Sequence, residues 1–242
     1  MTDANWSVPE TEVLTGVGEV IESDLRGVLA TVIRVEGSAY RRPGAKMVIP
    51  EDGEGTGHIT AGCLEDEIQA IAGEVLEDGA PRIETYDLRP DADDDVWGLG
   101  VGCNGVITIL LEPIDDSYRR VVDAHEAGED VGVVTVVDAD DAGEPADGDP
   151  VGARAYYDPT SGEFSLGDRF PADVADRVRD ATAELTARGR ADSFAVDGLT
   201  VFVDGVAAPP DLVVVGTGHD VGPITETGAK AGFRVTVVGV RG

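Results

Sequence analysis

Apolar residues at three- and four-residue steps open the chain. Val13, Leu14, Val17, Val20 and Ile21, behind Pro9, Glu10 and Glu12, predict an amphipathic helix over residues 8–24. The period then changes. Residues 28–35 are β-branched and nearly all apolar, which predicts a strand covered on both faces, and residues 46–49 predict a shorter one across a polar loop at 36–44. A short strand end at 58–60 and a tight junction at 61–63 lead into a helix over 64–77. That helix places Leu64, Ile68, Ile71, Val75 and Leu76 on one face and Glu65, Asp66 and Glu67 in its first turn, where the helix dipole favours acids. Strands follow at 83–86 and 106–111, around an acidic stretch at 91–95. A helix at 116–127, a strand at 131–137, an acidic loop at 138–150, a segment at 154–157 and a helix at 171–188 come next. The pair 192–196 and 199–203 flanks Asp197-Gly198, a strong hairpin dipeptide. Residues 211–215, a helical stretch to Ala231, and 233–238 spell one βαβ unit.

The pattern predicts an α/β protein in three parts: an N-terminal mixed-sheet α/β domain (1–115), an α+β middle segment (116–209), and the first βαβ unit of a truncated Rossmann-like domain (210–242). One such unit cannot cover its own sheet. Either a second chain completes it, as in a homodimer, or the domain is shortened.

Composition changes this picture in one respect. The 48 acidic residues against 18 basic ones leave a net charge of −30, spread along the whole chain, and Lys46 and Lys230 are the two lysines. Such a field repels nucleic acid and anionic membranes. It suits a salt-rich cytosol, because at molar ionic strength the Debye length shrinks to about 3 Å and self-repulsion is screened. Two cysteines make no disulfide scaffold. The first residues lack the pattern of a secretory leader, and no apolar run reaches the roughly 20 residues a spanning helix needs, so a cytoplasmic protein is expected.

Four places could carry chemistry, and no catalytic constellation is read among them. Gly62-Cys63 sits at a helix start, where free N–H groups bind anions and lower a thiol's pKa; the plainer reading is a small buried cysteine. Gly98, Gly100 and Gly102, between Trp97 and Cys103, offer a backbone nest for a ligand, or else a tight turn. Arg41 and Arg42 suit forked binding of an anionic group, or pairing with surface carboxylates. Gly216 and Gly218 follow an apolar strand as in a dinucleotide fingerprint. However, Val221 holds the third glycine's place and Gly239 stands where an acid would grip a ribose, which weakens any NAD(P) role. His58, His125 and His219 are too scattered to read as a metal cage.

Residues 34–47, Gly62-Cys-Leu-Glu65, Trp97-Gly-Leu-Gly-Val-Gly-Cys103 and Glu112-Pro113, in that order, resemble the XdhC/CoxI family, the accessory proteins of molybdenum hydroxylases such as xanthine dehydrogenase and carbon monoxide dehydrogenase. The resemblance implies a maturation factor that transiently binds molybdenum cofactor. It also implies that the protein assists sulfuration with a cysteine desulfurase and passes the cofactor to the apo-hydroxylase. Arg41, Arg42 and the Gly62 junction would then hold anionic groups, and Cys63 or Cys103 would meet the metal or a persulfide, since soft thiolates suit sulfur-rich chemistry. The competing readings are an NAD(P)-dependent oxidoreductase built on residues 216–222 and a thiol-redox protein using Cys63 and Cys103.

Overall fold

The computed structural model describes residues 8–23, 25–89, 104–139 and 150–239. Helix α1 (Glu10–Glu22) leads into strands β1 (Gly27–Ser38), β2 (Lys46–Pro50) and β3 (Thr56–Gly57), helix α2 (Glu65–Asp78), and strands β4 (Arg82–Asp87) and β5 (Asn104–Pro113). After a 3-10 turn at Asp116–Tyr118 come α3 (Arg119–Ala127), β6 (Val131–Asp138), β7 (Arg154–Asp158), β8 (Glu163–Leu166), α4 (Ala172–Arg188), β9 (Ala191–Val196) and β10 (Leu199–Val206). The chain continues through β11 (Asp211–Val215), α5 (Val221–Lys230) and β12 (Arg234–Val238).

These strands form two five-stranded sheets, ordered β3-β2-β1-β5-β4 and β8-β7-β6-β10-β9, and a two-stranded one, β11-β12. The α/β class is as expected, but the first sheet is antiparallel in every pairing and not mixed. An apolar run reports burial on both faces, not strand direction. Here α2 covers one face of β1, through Val28, Ala30 and Val32, while Leu29 and Ile33 face a layer shared with the second sheet. The short strand expected at 58–60 lies instead at Thr56–Gly57. The parallel βαβ unit forms as expected, with Leu212 opposite Val235.

The two large sheets repeat one topology. Each half runs helix, three strands, helix, two strands, and the residue registers coincide. Leu29 pairs with Val48 and Glu112, as Val133 pairs with Tyr156 and Asp204. Thr31 pairs with Lys46 and Leu110, as Thr135 pairs with Arg154 and Phe202. Even the bulge recurs, at Ile33 between the pairings of Val32 and Arg34, and at Val137 between those of Val136 and Asp138. Ile33, Leu110, Val137 and Phe202 meet in one buried cluster between the halves. Both second helices end on a left-handed glycine, Gly79 and Gly189, the residue that adopts this conformation at least steric cost.

The inter-sheet layer also holds two buried ion pairs at equivalent positions. Lys46 of the first half meets Asp204 of the second at 2.8 Å, and Arg154 of the second meets Glu112 of the first. Tyr118 donates to Glu112 at 2.8 Å, and Arg154 donates to Ser117 Oγ at 2.7 Å. Burial pushes the Glu112 carboxyl up, opposed by Arg154 and by the Tyr118 hydrogen bond. Among the described residues no helix is long and apolar enough to cross a membrane.

Candidate functional site

Several connections leave the first sheet at the same end. β1 runs past its pairing with β2 to Ser38, which lies opposite Asn104 at the start of β5, and β4 ends at Asp87 opposite Val106. The loop at 39–45 joins β1 to β2 here. The turn at 58–64, which carries Gly62 and Cys63, follows β3, whose Gly57 lies opposite Met47. Arg41 ties these two loops together by donating from Nε to the His58 carbonyl at 3.0 Å. Gly98, Gly100, Gly102 and Cys103, the acidic stretch 91–95, and residues 140–149 of the expected acidic loop lie outside the described residues.

The junction at Gly62 differs from expectation. Its N–H groups are not open to an anion, because the chain supplies the acceptors. Gly62, Cys63 and Leu64 donate to Thr60 Oγ1 at 3.3, 3.2 and 3.3 Å, Leu64 also donates to Glu65 at 3.1 Å, and Thr60 N donates to Glu65 Oε1 at 3.1 Å. This resembles a capping box in which the Glu65 carboxylate stands where a bound anion would. Cys63 is a free, half-buried thiol packed partly against the core under α2.

Arg41 and Arg42 come together in a cavity of about 400 Å³ where loop 39–45 meets the second half. Lys46 forms its floor. The ammonium pairs with Asp204 at 2.8 Å and with Glu10, and donates to the Gly44 carbonyl at 3.0 Å. Burial works against this charge, but Asp204 and Glu10 outweigh it and hold the proton on well above the ordinary lysine range. Burial likewise pushes the Asp204 carboxyl up, against the pull of Lys46. Arg190 completes the lining from the corner after α4. Nothing in the local pattern around Arg190 marks it; only the tertiary meeting of the halves does. Lys46 carried a signal, as one of two lysines in the chain.

Gly62 and Cys63 stand outside this lining, on the turn that Arg41 holds. Gly216 and Gly218 belong to the outlying βαβ unit, where Val213 and Val215 are exposed. Among the described residues no group of three or more His, Cys, Asp or Glu gathers as a metal cage.

Residues 20–87 match the XdhC and CoxI family. That segment contains Arg41, Arg42, Gly62 and Cys63, so the resemblance drawn from the motifs holds over the loops just described. Beyond it, the chain is 26% identical over 227 residues to a protein of Bacillus subtilis (strain 168) named as a probable xanthine dehydrogenase subunit, covering 92% of this chain and 62% of that one. It is 29% identical over 120 residues to the molybdenum cofactor insertion chaperone PaoD of Escherichia coli (strain K12), covering 46% and 36%. A crystal structure from Bacillus halodurans described as a xanthine dehydrogenase superposes with a TM-score of 0.68 at 28% identity, covering 95% of this chain and 62% of that chain. The chain thus spans about three fifths of the length of these Bacillus relatives.

Proposed function

We propose that this chain is an accessory protein that binds molybdenum cofactor, assists its sulfuration, and serves its insertion into a molybdenum hydroxylase such as xanthine dehydrogenase or carbon monoxide dehydrogenase. Its partners are then the apo-hydroxylase and a cysteine desulfurase. The observation that carries this reading is the bond from Arg41 to the His58 carbonyl, which joins two motif-bearing loops of the XdhC and CoxI segment beside a cavity lined with cations. The similarity to a cofactor insertion chaperone supports it.

The cofactor is cargo here, and its parts suit the residues unequally. Its anionic end fits Arg41 and Arg42, whose guanidinium forks bind phosphate oxygens in pairs. It does not fit the Gly62 junction, whose donors Thr60 and Glu65 occupy. Among the described residues Cys63, outside the cavity lining but on the turn held by Arg41, is the thiol that would face the sulfur-rich end, with Cys103 as the alternative outside them. Replacing Cys63 with Ala should weaken cofactor retention about tenfold, the worth of one favourable contact, while leaving the fold intact. Retention equal to wild type in a folded variant would remove Cys63 from the site.

A further inference from the structure

The repeated topology allows the arginine-lined cavity to be compared with its counterpart in the other half. Lys46 and Asp204 on one side correspond to Arg154 and Glu112 on the other, so a buried cation bridging the sheets belongs to the architecture of both. The surrounding backbone also corresponds. Ala45 donates to the Arg42 carbonyl and accepts from Val32, as Ala153 donates to the Pro150 carbonyl and accepts from Val136. Gly44 and Gly152 both donate back to those valines and both take positive φ, +95° and +84°.

At the rim the correspondence of chemistry ends. Arg42 stands where the other half has Pro150. Arg190, the residue after the capping Gly189, stands where the other half has Ala80 after Gly79. The fold therefore builds the counterpart without either arginine, and neither is needed to hold the halves together.

Nor are they held by carboxylates, although the chain has 48 of them. Ten described arginines lie within 4 Å of an acid. Among the described residues Arg42 and Arg190 have no such partner, and Arg41 spends Nε on a carbonyl. The two acids that line the cavity, Glu10 and Asp204, are engaged by Lys46. The cavity is thus a cationic place in a strongly acidic molecule. Its walls approach closely, since a side chain on Gly44 would come within 3.1 Å of the Ala191 Cβ.

We propose that this cavity binds a phosphate group, gripped from the first half by Arg42 with Arg41 beside it and from the second half by Arg190. The ligand class is a phosphate monoester or a diphosphate, which paired guanidinium forks recognise better than point charges do. The proposal rests on the cofactor reading for the source of the phosphate, and on the cavity alone for the chemistry.

The test is calorimetric titration of the whole chain with inorganic phosphate and inorganic pyrophosphate, at constant high ionic strength in potassium chloride. Arg42→Ala, Arg190→Ala and Arg188→Ala are titrated alongside, the last being an exposed arginine paired with Glu184 outside the cavity. Saturable binding of at least one anion is expected, weakened about tenfold or more by R42A and by R190A and unchanged by R188A, as the loss of one charge-assisted bond requires. No saturable binding by the wild type, or equal affinity in R190A and wild type, overturns the proposal. Molybdenum cofactor is then titrated against the same proteins. If R190A weakens both ligands, the phosphate is the cofactor's. If pyrophosphate binds through Arg190 while the wild type binds no cofactor, the cofactor reading fails and the phosphate site stands.

Discussion

Glu112 and Arg154 show how a single buried pair ties sequence to fold. Each is almost wholly enclosed, at 2% and 7% side-chain exposure, and each comes from a different half of the molecule. Replacing Arg154 with Met leaves a carboxyl with no cation in a low-dielectric layer, which should cost about 3–5 kcal/mol near pH 8. Without Arg154, Glu112 keeps its proton to a higher pH in the folded chain than in the unfolded one. A raised folded pKa gives stability that is fully present below the unfolded value, about 4.3, and lost as pH rises. The deficit of Arg154→Met relative to wild type should therefore shrink between pH 8 and pH 5, as read by denaturant unfolding. A deficit independent of pH would mean that Glu112 stays charged without its partner. Neither residue stood out as a pair in the sequence, because they are 42 positions apart and meet only when the sheets stack.

At the scale of elements, most of the fold was legible. The period-3.6 stripe of α1, the acids opening α2 and the Asp197-Gly198 hairpin each appear where the pattern puts them, with Asp197 and Gly198 both at positive φ. Strand β8 was missed: Glu163–Leu166 is short and mostly exposed, so no alternation betrays it. Strand direction was illegible in β1, since a helix on one face and a sheet on the other produce the same apolar run as a parallel strand between two helix layers. Of the site, Arg41 and Arg42 could be read from local composition, whereas Arg190 could not. The end of the first sheet that carries these loops depends on a close approach at Gly105, where an added Cβ would lie 2.3 Å from the Glu36 carbonyl oxygen and 2.9 Å from Ser38 N. Gly105→Ala should destabilise the protein by about 2–4 kcal/mol through backbone displacement. Its amide exchange should rise first where β1 and β5 pair over Glu36 to Ser38. A variant as stable as wild type would show that this strand end is not held by that contact.

Over the whole molecule, one topology built twice explains both its stability and its asymmetry. The halves keep Thr31 and Thr135, and Gly44-Ala45 and Gly152-Ala153, at equivalent positions, while changing identities at others, Lys46 for Arg154, Glu112 for Asp204 and Leu110 for Phe202. What differs between them, the arginines at the rim of one cavity, is where function has room to act. The charge of −30 acts on the molecule as a whole. Moving from molar potassium chloride to dilute buffer should lower Tm by about 10 °C or more, the shift that roughly 3–4 kcal/mol of unscreened repulsion gives a chain of this length. A Tm indifferent to salt would contradict the reading of a protein made for a saline cytosol.

The central claim is that loop 39–45 holds molybdenum cofactor by its anionic end. The most direct measurement is an equilibrium titration of the cofactor in high salt against the wild-type chain and an Arg41→Ala/Arg42→Ala double variant, with circular dichroism to verify the fold of each. Saturable binding by the wild type, weakened about tenfold to hundredfold in the double variant through the loss of two charge-assisted contacts, is the predicted result. Binding that is equal in a folded double variant, or absent from the wild type, would contradict it.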